Sequence, residues 1–366
     1  MRKISLLLII SVLLSFVPAQ SLHTSARGAI LIDAHSGRVL FSQNASMQLP
    51  MASTTKIMTA LVVVENADLD EIVVVDRATT GVEGSSIYLK PGEMITVRDL
   101  LYGLLLESGN DAALTLAVHV GGSEEEFVVM MNERAAALDL QSTSFQNPHG
   151  LDGERHFTTA HELAIMATAM LSHPELAEIA STPNAKIAGR SMSNSNKMLH
   201  RFDGADGVKT GFTRRSGRCL VSSATRDGQT LIAVTLNAGN DWNDHTAMLN
   251  YGFSTYKLRQ YATYNTVHST IPVIGGVWHE VDLVVAECLK FPFTDTEASD
   301  YTITVQVPRF VYAGVERGDI AGWITLHRGN EVFARSALVF DLDVEQAALP
   351  RRPLWQRLRE WFIKKS

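Results

Sequence analysis

The chain has 366 residues and 46% hydrophobic content, enough for a sizeable core and, by length, for two domains. Its 32 basic and 39 acidic residues are mixed in sign, and no basic stripe interleaved with aromatics runs through the body of the chain, which argues against a nucleic-acid partner. Two cysteines, Cys219 and Cys288, are too few for a disulfide-built scaffold and are expected as free, buried thiols.

The first residues, MRKISLLLIISVLLSFVPAQS, combine a basic start (Arg2, Lys3), an apolar run over 4–17 and a small-residue end at Val17-Pro18-Ala19. The run falls short of the roughly 20 residues needed to cross a bilayer. The pattern therefore predicts an export signal, residues 1–19, cleaved after Ala19. Its removal takes away Arg2 and Lys3, leaving 30 basic and 39 acidic residues and a net charge of −9.

ARGAILIDAHSGRVLFSQNAS then predicts a hairpin, with apolar runs over 29–32 and 39–41 about a turn at Ser36-Gly37. The segment LPMASTTKIMTALVVVEN predicts a helix reaching about Asn66. Short strands punctuated by Gly and Pro follow, then a helix ending near Glu107 and helical patterns over 111–120, 124–138 and 160–171. From Gly207 onward GVKTGFT, GRCLVSSATRDG and QTLIAVTLNA read as three neighbouring antiparallel strands, closed by a helix over 241–256. Strands from both ends of this portion, residues 20–260, must meet around a helical middle. From 261 to 349 only strands are predicted, forming a separate β-domain without a catalytic cluster. The tail 350–366, PRRPLWQRLREWFIKKS, sets Leu354, Trp355, Leu358, Trp361 and Phe362 at helical spacing, with Arg357, Arg359 and Glu360 opposite and Lys364 and Lys365 after them. Tryptophan on the apolar face and basic residues on the other predict a helix lying in a membrane interface; the alternative is a helix docked on its own domain.

The chemistry centres on Ser53 and Lys56, which share one helix face at spacing i and i+3. A serine hydroxyl is a poor nucleophile without a base, and a lysine serves as base only when burial or a neighbouring cation lowers its pKa. The plain alternative makes Ser53 a helix N-cap and Lys56 a surface residue. A second copy of the spacing, Ser254 to Lys257, lacks any supporting context and is read as chance. Ser53 and Lys56 have company: Ser108-Gly109-Asn110 after a helix and Lys209-Thr210-Gly211 on a strand. Ser108 offers a proton-relaying hydroxyl, and Asn110 an amide to hold substrate and position Lys56. Lys209 adds a cation that depresses the Lys56 pKa and attracts a carboxylate, which Thr210 can also bond. Gly211 lets substrate approach the strand closely.

These three motifs, in this order, resemble those of the penicillin-binding proteins and serine β-lactamases. With AILIDAHSGRVLF, LLYGLLLESGNDAA, NPHGLD and DGVKTGFT, the chain resembles the D-alanyl-D-alanine carboxypeptidases of the low-molecular-mass penicillin-binding proteins, the type with a C-terminal β-domain, and its Gram-positive members most. The resemblance implies an α/β fold, a β-lactamase/transpeptidase-like antiparallel sheet flanked by helices with a helical subdomain, followed by an all-β domain. It implies that Ser53 attacks the carbonyl between the terminal D-alanines of a peptidoglycan stem pentapeptide. Lys56 is then general base, with Ser108 and Lys209 assisting proton movement. The N–H groups of Ser53 and Phe212 form the oxyanion hole, and Lys209, Thr210, Gly211 and Phe212 bind substrate. β-Lactams are implied as covalent inhibitors, and the outer face of the cytoplasmic membrane or the wall as location. Phe212 stands where some relatives carry histidine. No cofactor or metal is expected, because the histidines lack paired ligand spacing; His149 and His156 are read as structural.

A β-lactamase typically has Ser-Asp-Asn as its second motif, where Gly109 stands here, and class A enzymes add a deacylating glutamate not identifiable in this chain. D,D-endopeptidase action on cross-links uses the same acyl chemistry. A non-catalytic wall-binding scaffold fits least, because all three motifs are intact.

Overall fold

The computed structural model describes residues 22–348, so the expected signal and the amphipathic tail lie outside the described residues. The chain opens with β1 (Gly28–Asp33) and β2 (Val39–Gln43), an antiparallel hairpin. The Asp33 carboxylate shapes the turn by accepting Ser36 N and Ser36 Oγ at 2.9 and 2.7 Å, and Gly37 supplies the positive φ of +69°. A 3-10 turn, Ala52–Thr55, runs into α1 (Lys56–Asn66). Next come β3 (Ile72–Val74), β4 (Met94–Thr96), α2 (Val97–Leu105), α3 (Asn110–Gly121) and α4 (Glu124–Ala137). Thr96 and Ser123 cap α2 and α4, each hydroxyl accepting an N–H three residues on at 3.1 Å.

The middle continues with α5 (Ala160–Leu171), α6 (Pro174–Ser181), the hairpin β5 (Asn184–Ile187) and β6 (Arg190–Ser193), and the single turn α7 (Met198–Arg201). Then β7 (Ala205–Thr213), β8 (Gly217–Arg226) and β9 (Gln229–Ala238) lead to α8 (Asp241–Thr255). These strands form one antiparallel sheet in the order β2-β1-β9-β8-β7, with β7 at the edge. The first strand thus sits beside one of the last, Gly28 pairing with Leu236.

Side chains alternate across that sheet. Ile30, Ile32, Val221, Ile232 and Val234 face the helical core, where α1, α2, α3 and α5 gather. Leu31, Leu220, Leu231 and Ala233 face the other way, onto Met248 and Leu249 of α8. Every residue of α1 from Lys56 to Val63 is buried. A helix apolar on all sides belongs in a core, and this one carries its lysine in with it.

Apart from a 3-10 turn at Glu297–Ser299, the remaining elements are strands: β10 (Lys257–Ala262), β11 (Val267–Ile274), β12 (Glu280–Val285), β13 (Leu289–Phe293), β14 (Thr302–Gln306), β15 (Val311–Tyr312), β16 (Ile320–Arg328) and β17 (Glu331–Phe340). Six of them form a sheet ordered β14-β16-β17-β12-β11-β15, while β10 pairs with β13. They enclose a core of their own around Leu283, Leu326, Leu338 and Phe293. Arg38 joins the two parts: it donates to the Pro292 carbonyl, pairs with Glu297 and lies 5.0 and 5.2 Å from the Tyr256 and Phe291 rings. Both cysteines are free; Cys219 is buried, whereas Cys288 is only half-buried and accepts a bond from Tyr264 N. Among the described residues no helix is long and apolar enough to cross a membrane.

Candidate active site

Ser53 does not cap a helix; it sits inside the 3-10 turn that precedes α1. That turn is held in an unfavourable conformation. Ala52 has φ +47°, a left-handed value uncommon outside glycine. Two glycines pack closely against it. A Cβ added to Gly150, itself at φ +90°, meets the Ala52 carbonyl oxygen at 2.1 Å, and one added to Gly211 meets the Ser53 nitrogen at 3.0 Å. Thr54 Oγ1 and Thr55 Oγ1 close the turn by donating to the Met51 and Ala52 carbonyls at 2.6 and 2.7 Å. His156 bridges Thr55 Oγ1 at 2.7 Å and the Gln146 N–H at 3.0 Å, a structural part.

Lys56 begins α1 one turn after Ser53, fully buried. Its Nζ lies 2.7 Å from Asn110 Oδ1, 2.6 Å from the His149 carbonyl and 3.2 Å from Ser53 Oγ. A neutral amine has two N–H bonds and one lone pair. The two carbonyl-type oxygens can only accept, so they take the two N–H bonds. The lone pair is left for the group that can donate, the Ser53 hydroxyl. Burial, and after it the charge of Lys209, push the Lys56 pKa well below the usual lysine value, with Asp111 opposing. Both effects favour the neutral amine.

Asn110 is fixed in turn. Its Nδ2 donates to the Glu83 carbonyl and its N–H to the Ser85 carbonyl at 2.7 Å. Gly84, at φ +97°, leaves room for that amide: a Cβ there meets Nδ2 at 2.7 Å. The neighbouring Asp111 accepts Ile87 N, Leu89 N and Ser86 Oγ at 3.0, 3.0 and 2.6 Å, pinning the same loop. Ser108, at φ +63°, is buried with no hydrogen-bond partner for its Oγ among the described residues. An unpartnered buried hydroxyl costs about 1–3 kcal/mol, a cost that Ser108 carries at the cleft wall.

The edge strand β7 supplies the opposite wall. Lys209 is fully buried and donates to the Thr210 carbonyl at 3.0 Å; burial lowers its pKa to about 7. Thr210 Oγ1 lies 3.4 Å from Ser195 Oγ, and Phe212 is 65% exposed. Ser53, Ser108, Thr210, Gly211 and Phe212 line one cleft of about 500 Å³, together with Glu107, Lys197, Arg218, Asp241 and Trp242.

Sequence reasoning missed the His149 carbonyl, the Glu83–Ser85 loop and Gly150. The glycine of the NPHG run was the available signal. Backbone acceptors leave no mark on residue identity.

A family model described as D-alanyl-D-alanine carboxypeptidase matches residues 16–240. The chain is 32% identical to the D-alanyl-D-alanine carboxypeptidase DacF of Bacillus subtilis, covering 94% of this chain and 95% of that one. It is also 32% identical to DacC of Escherichia coli, covering 92% and 89% respectively. The structure is similar to penicillin-binding protein 5 of Haemophilus influenzae (TM-score 0.75, 25% identity, 88% of this chain and 98% of that one). It is likewise similar to PBP3 of Streptococcus pneumoniae, titled a peptidoglycan synthesis regulatory factor (TM-score 0.76, 25% identity, 88% and 100%). The transpeptidase-like α/β domain with its five-stranded antiparallel sheet, followed by a β-rich C-terminal domain, is the fold of these proteins. The chain therefore belongs to the serine-type D-alanyl-D-alanine carboxypeptidases, peptidase family S11, hydrolases of the penicillin-binding protein group that act on the cell wall.

Proposed function

We propose that this chain removes the terminal D-alanine from peptidoglycan stem pentapeptides through an acyl-enzyme on Ser53. The observation that carries the reading is the Lys56 cage: two acceptors at 2.6 and 2.7 Å occupy its N–H bonds and leave the lone pair toward Ser53 Oγ at 3.2 Å. Lys56 takes the Ser53 proton as Oγ bonds to the carbonyl carbon of the penultimate residue. The negative charge that develops on the carbonyl oxygen is held by the N–H groups of Ser53 and Phe212. Ser53 N–H lies in the first turn of its segment, where no intrahelical acceptor exists, and Phe212 is on an edge strand. Breaking the C–N bond requires a proton on the departing amine; Ser108 Oγ, unpartnered among the described residues, donates it and is reprotonated by Lys56 once substrate draws the two together. Water then cleaves the ester by the reverse relay. Lys209, Thr210 and Gly211 bind the substrate along β7.

The wider reading follows the sequence. Residues 1–19 direct export, 20–260 form the peptidase domain, 261–349 the β-domain, and 350–366 hold the enzyme at the outer face of the cytoplasmic membrane. β-Lactams acylate Ser53 in place of substrate. Release of D-alanine from a stem pentapeptide tests the activity, with cross-linked dimer and a chromogenic β-lactam as comparison substrates. Ser53→Ala is expected to abolish both D-alanine release and labelling by penicillin, and labelling that survives removes Ser53 as nucleophile. Deleting 350–366 is expected to shift the protein from vesicles to the soluble fraction.

A further inference from the structure

The turn that closes β7 carries two cations that the reaction described above leaves unused. Arg214 and Arg215 are the only consecutive Lys or Arg residues between positions 20 and 348, in a chain whose acids outnumber its bases. Both are exposed. The backbone beneath them is held firmly. Thr213 N donates to Ser216 Oγ at 2.9 Å, Ser216 N to Thr213 Oγ1 at 3.0 Å, and Asn237 Nδ2 to the Ser216 carbonyl at 2.8 Å. Two further bonds tie the turn to the loop after Gly150: Thr213 Oγ1 donates to Asp152 Oδ1 at 2.8 Å, and Arg215 Nη1 to the Gly153 carbonyl at 3.1 Å. Beyond that one contact, neither guanidinium has a side-chain hydrogen bond or an ion pair among the described residues.

The strand fixes what passes this turn. In the reading above, the end of the substrate lies at Lys209 and Thr210, and the carbonyl under attack points at the N–H of Phe212. A peptide held that way runs antiparallel to β7, along the open side of an edge strand. Its earlier residues therefore continue past Phe212 toward 214 and 215. At about 3.3 Å per residue, the two residues ahead of the penultimate D-alanine come level with the segment from Thr213 to Arg215. Those two carry the anions of a stem peptide. One is a glutamate joined through its side chain, which leaves its α-carboxylate free; the other is a diamino acid, which adds a carboxylate when it is a diaminodiacid. A guanidinium stays charged at any working pH and offers paired N–H groups to a carboxylate.

We propose that Arg214 and Arg215 form an upstream subsite that selects stem peptides with free carboxylates ahead of the terminal D-alanines over their amidated counterparts. The assignment rests on the Ser53 carboxypeptidase reading and deepens it. The strand β7 receives the end of the peptide, and the turn after it reads the charge of the stem.

The test uses the full chain and two pentapeptides that differ only in these carboxylates, free in one and amidated in the other. The parent is expected to release D-alanine from the acidic peptide with the higher kcat/KM, the difference residing in KM and shrinking as salt rises. Replacing both residues, Arg214→Gln with Arg215→Gln, is expected to lower kcat/KM on the acidic peptide about 3- to 20-fold at low salt, the range of two exposed ion pairs. The preference for the acidic peptide then disappears. Arg214→Gln alone, which gives up no bond within the described residues, is expected to show part of the same loss. Arg214→Glu with Arg215→Glu is expected to reverse the preference. Equal losses on both peptides, or a preference that survives the double replacement, overturn the assignment, as does a parent that treats the two peptides alike. A parent that releases D-alanine from neither peptide overturns the carboxypeptidase reading and this one with it.

Discussion

Lys56 Nζ and Asn110 Oδ1 lie 2.7 Å apart, although the two residues come from different helices 54 positions apart in sequence. The contact uses a neutral acceptor, which orients the amine and favours its charged form far less than a carboxylate would. Asn110→Asp keeps the side-chain shape and adds a carboxylate, at the loss of the bond that Nδ2 donates to the Glu83 carbonyl. An adjacent opposite charge shifts a pKa by about 1–3 units, here upward. The acid limb of the penicillin-acylation pH profile is expected to move to higher pH by that amount, with a matching loss of rate at neutral pH. An unmoved limb would mean that Lys56 is not the titrating base.

Gly150 packs directly against the nucleophile turn. Gly150→Ala introduces a methyl 2.1 Å from the Ala52 carbonyl oxygen and requires an L-residue at φ +90°. Backbone strain alone is expected to cost about 1–3 kcal/mol of stability. A shift of the Ser53 turn on the scale of 1 Å is expected to slow acylation on the order of 100-fold. Thermal melts and acylation rates on the same sample read the two effects separately.

Lys209 lowers the pKa of Lys56 by its charge, and its own pKa is about 7. Two pH effects follow. In the free enzyme the Lys209 cation disappears as pH rises through about 7, which sets an alkaline limb on kcat/KM for carboxylate substrates. Removing that cation with Lys209→Met relieves the repulsion on Lys56, so the Lys56 pKa rises and the acid limb moves to higher pH. Because the two amines interact, the measured limbs belong to the pair. A profile in Lys209→Met identical to the parent's would exclude the coupling.

His245 on α8 lies fully buried between two sheet hydroxyls, Ser222 Oγ and Thr235 Oγ1, the latter 2.9 Å away. Burial lowers its pKa from 6.5 to about 3, and lowers those of His149 and His156 to about 4. The folded state therefore keeps these rings neutral where the unfolded chain protonates them. Their contribution to stability is complete above about pH 6.5 and is lost progressively as pH falls toward 3–4. Denaturant unfolding across that window is expected to show the decline, and His245→Gln to flatten it. His245→Ala is expected to cost about 2–4 kcal/mol at neutral pH through two orphaned hydroxyls and a cavity.

Much of this was legible in the sequence. The helices α3, α4 and α5 appear within a residue or two of their expected limits, and α1 ends at the expected Asn66 although the Ser53 turn before it is 3-10. The three motifs were recognisable because side-chain identity is what their chemistry requires. By contrast α6 and the β5–β6 hairpin went unread. NAKI and RSMS are short, mostly exposed strands without apolar alternation, and they form because Arg190 ties them to Glu93 and to the Ile87 carbonyl. The sequence pattern placed Ser53 and Lys56 on one face, but left open whether the lysine was buried. That depends on α1 being enclosed by α2, α3 and α5 and by the NPHG loop, contacts set by tertiary packing.

The pairing of β1 with β9 has a consequence for how the enzyme comes into being. The central sheet cannot close until the segment ending at Ala238 is available to the strand that starts at Gly28. The nucleophile turn in turn leans on β7, which joins the sheet only through β8 and β9. Contacts so distant along the chain form late and slowly. A chain that stops short of β9 therefore lacks both the closed sheet and the β7 wall on which the Ser53 turn rests.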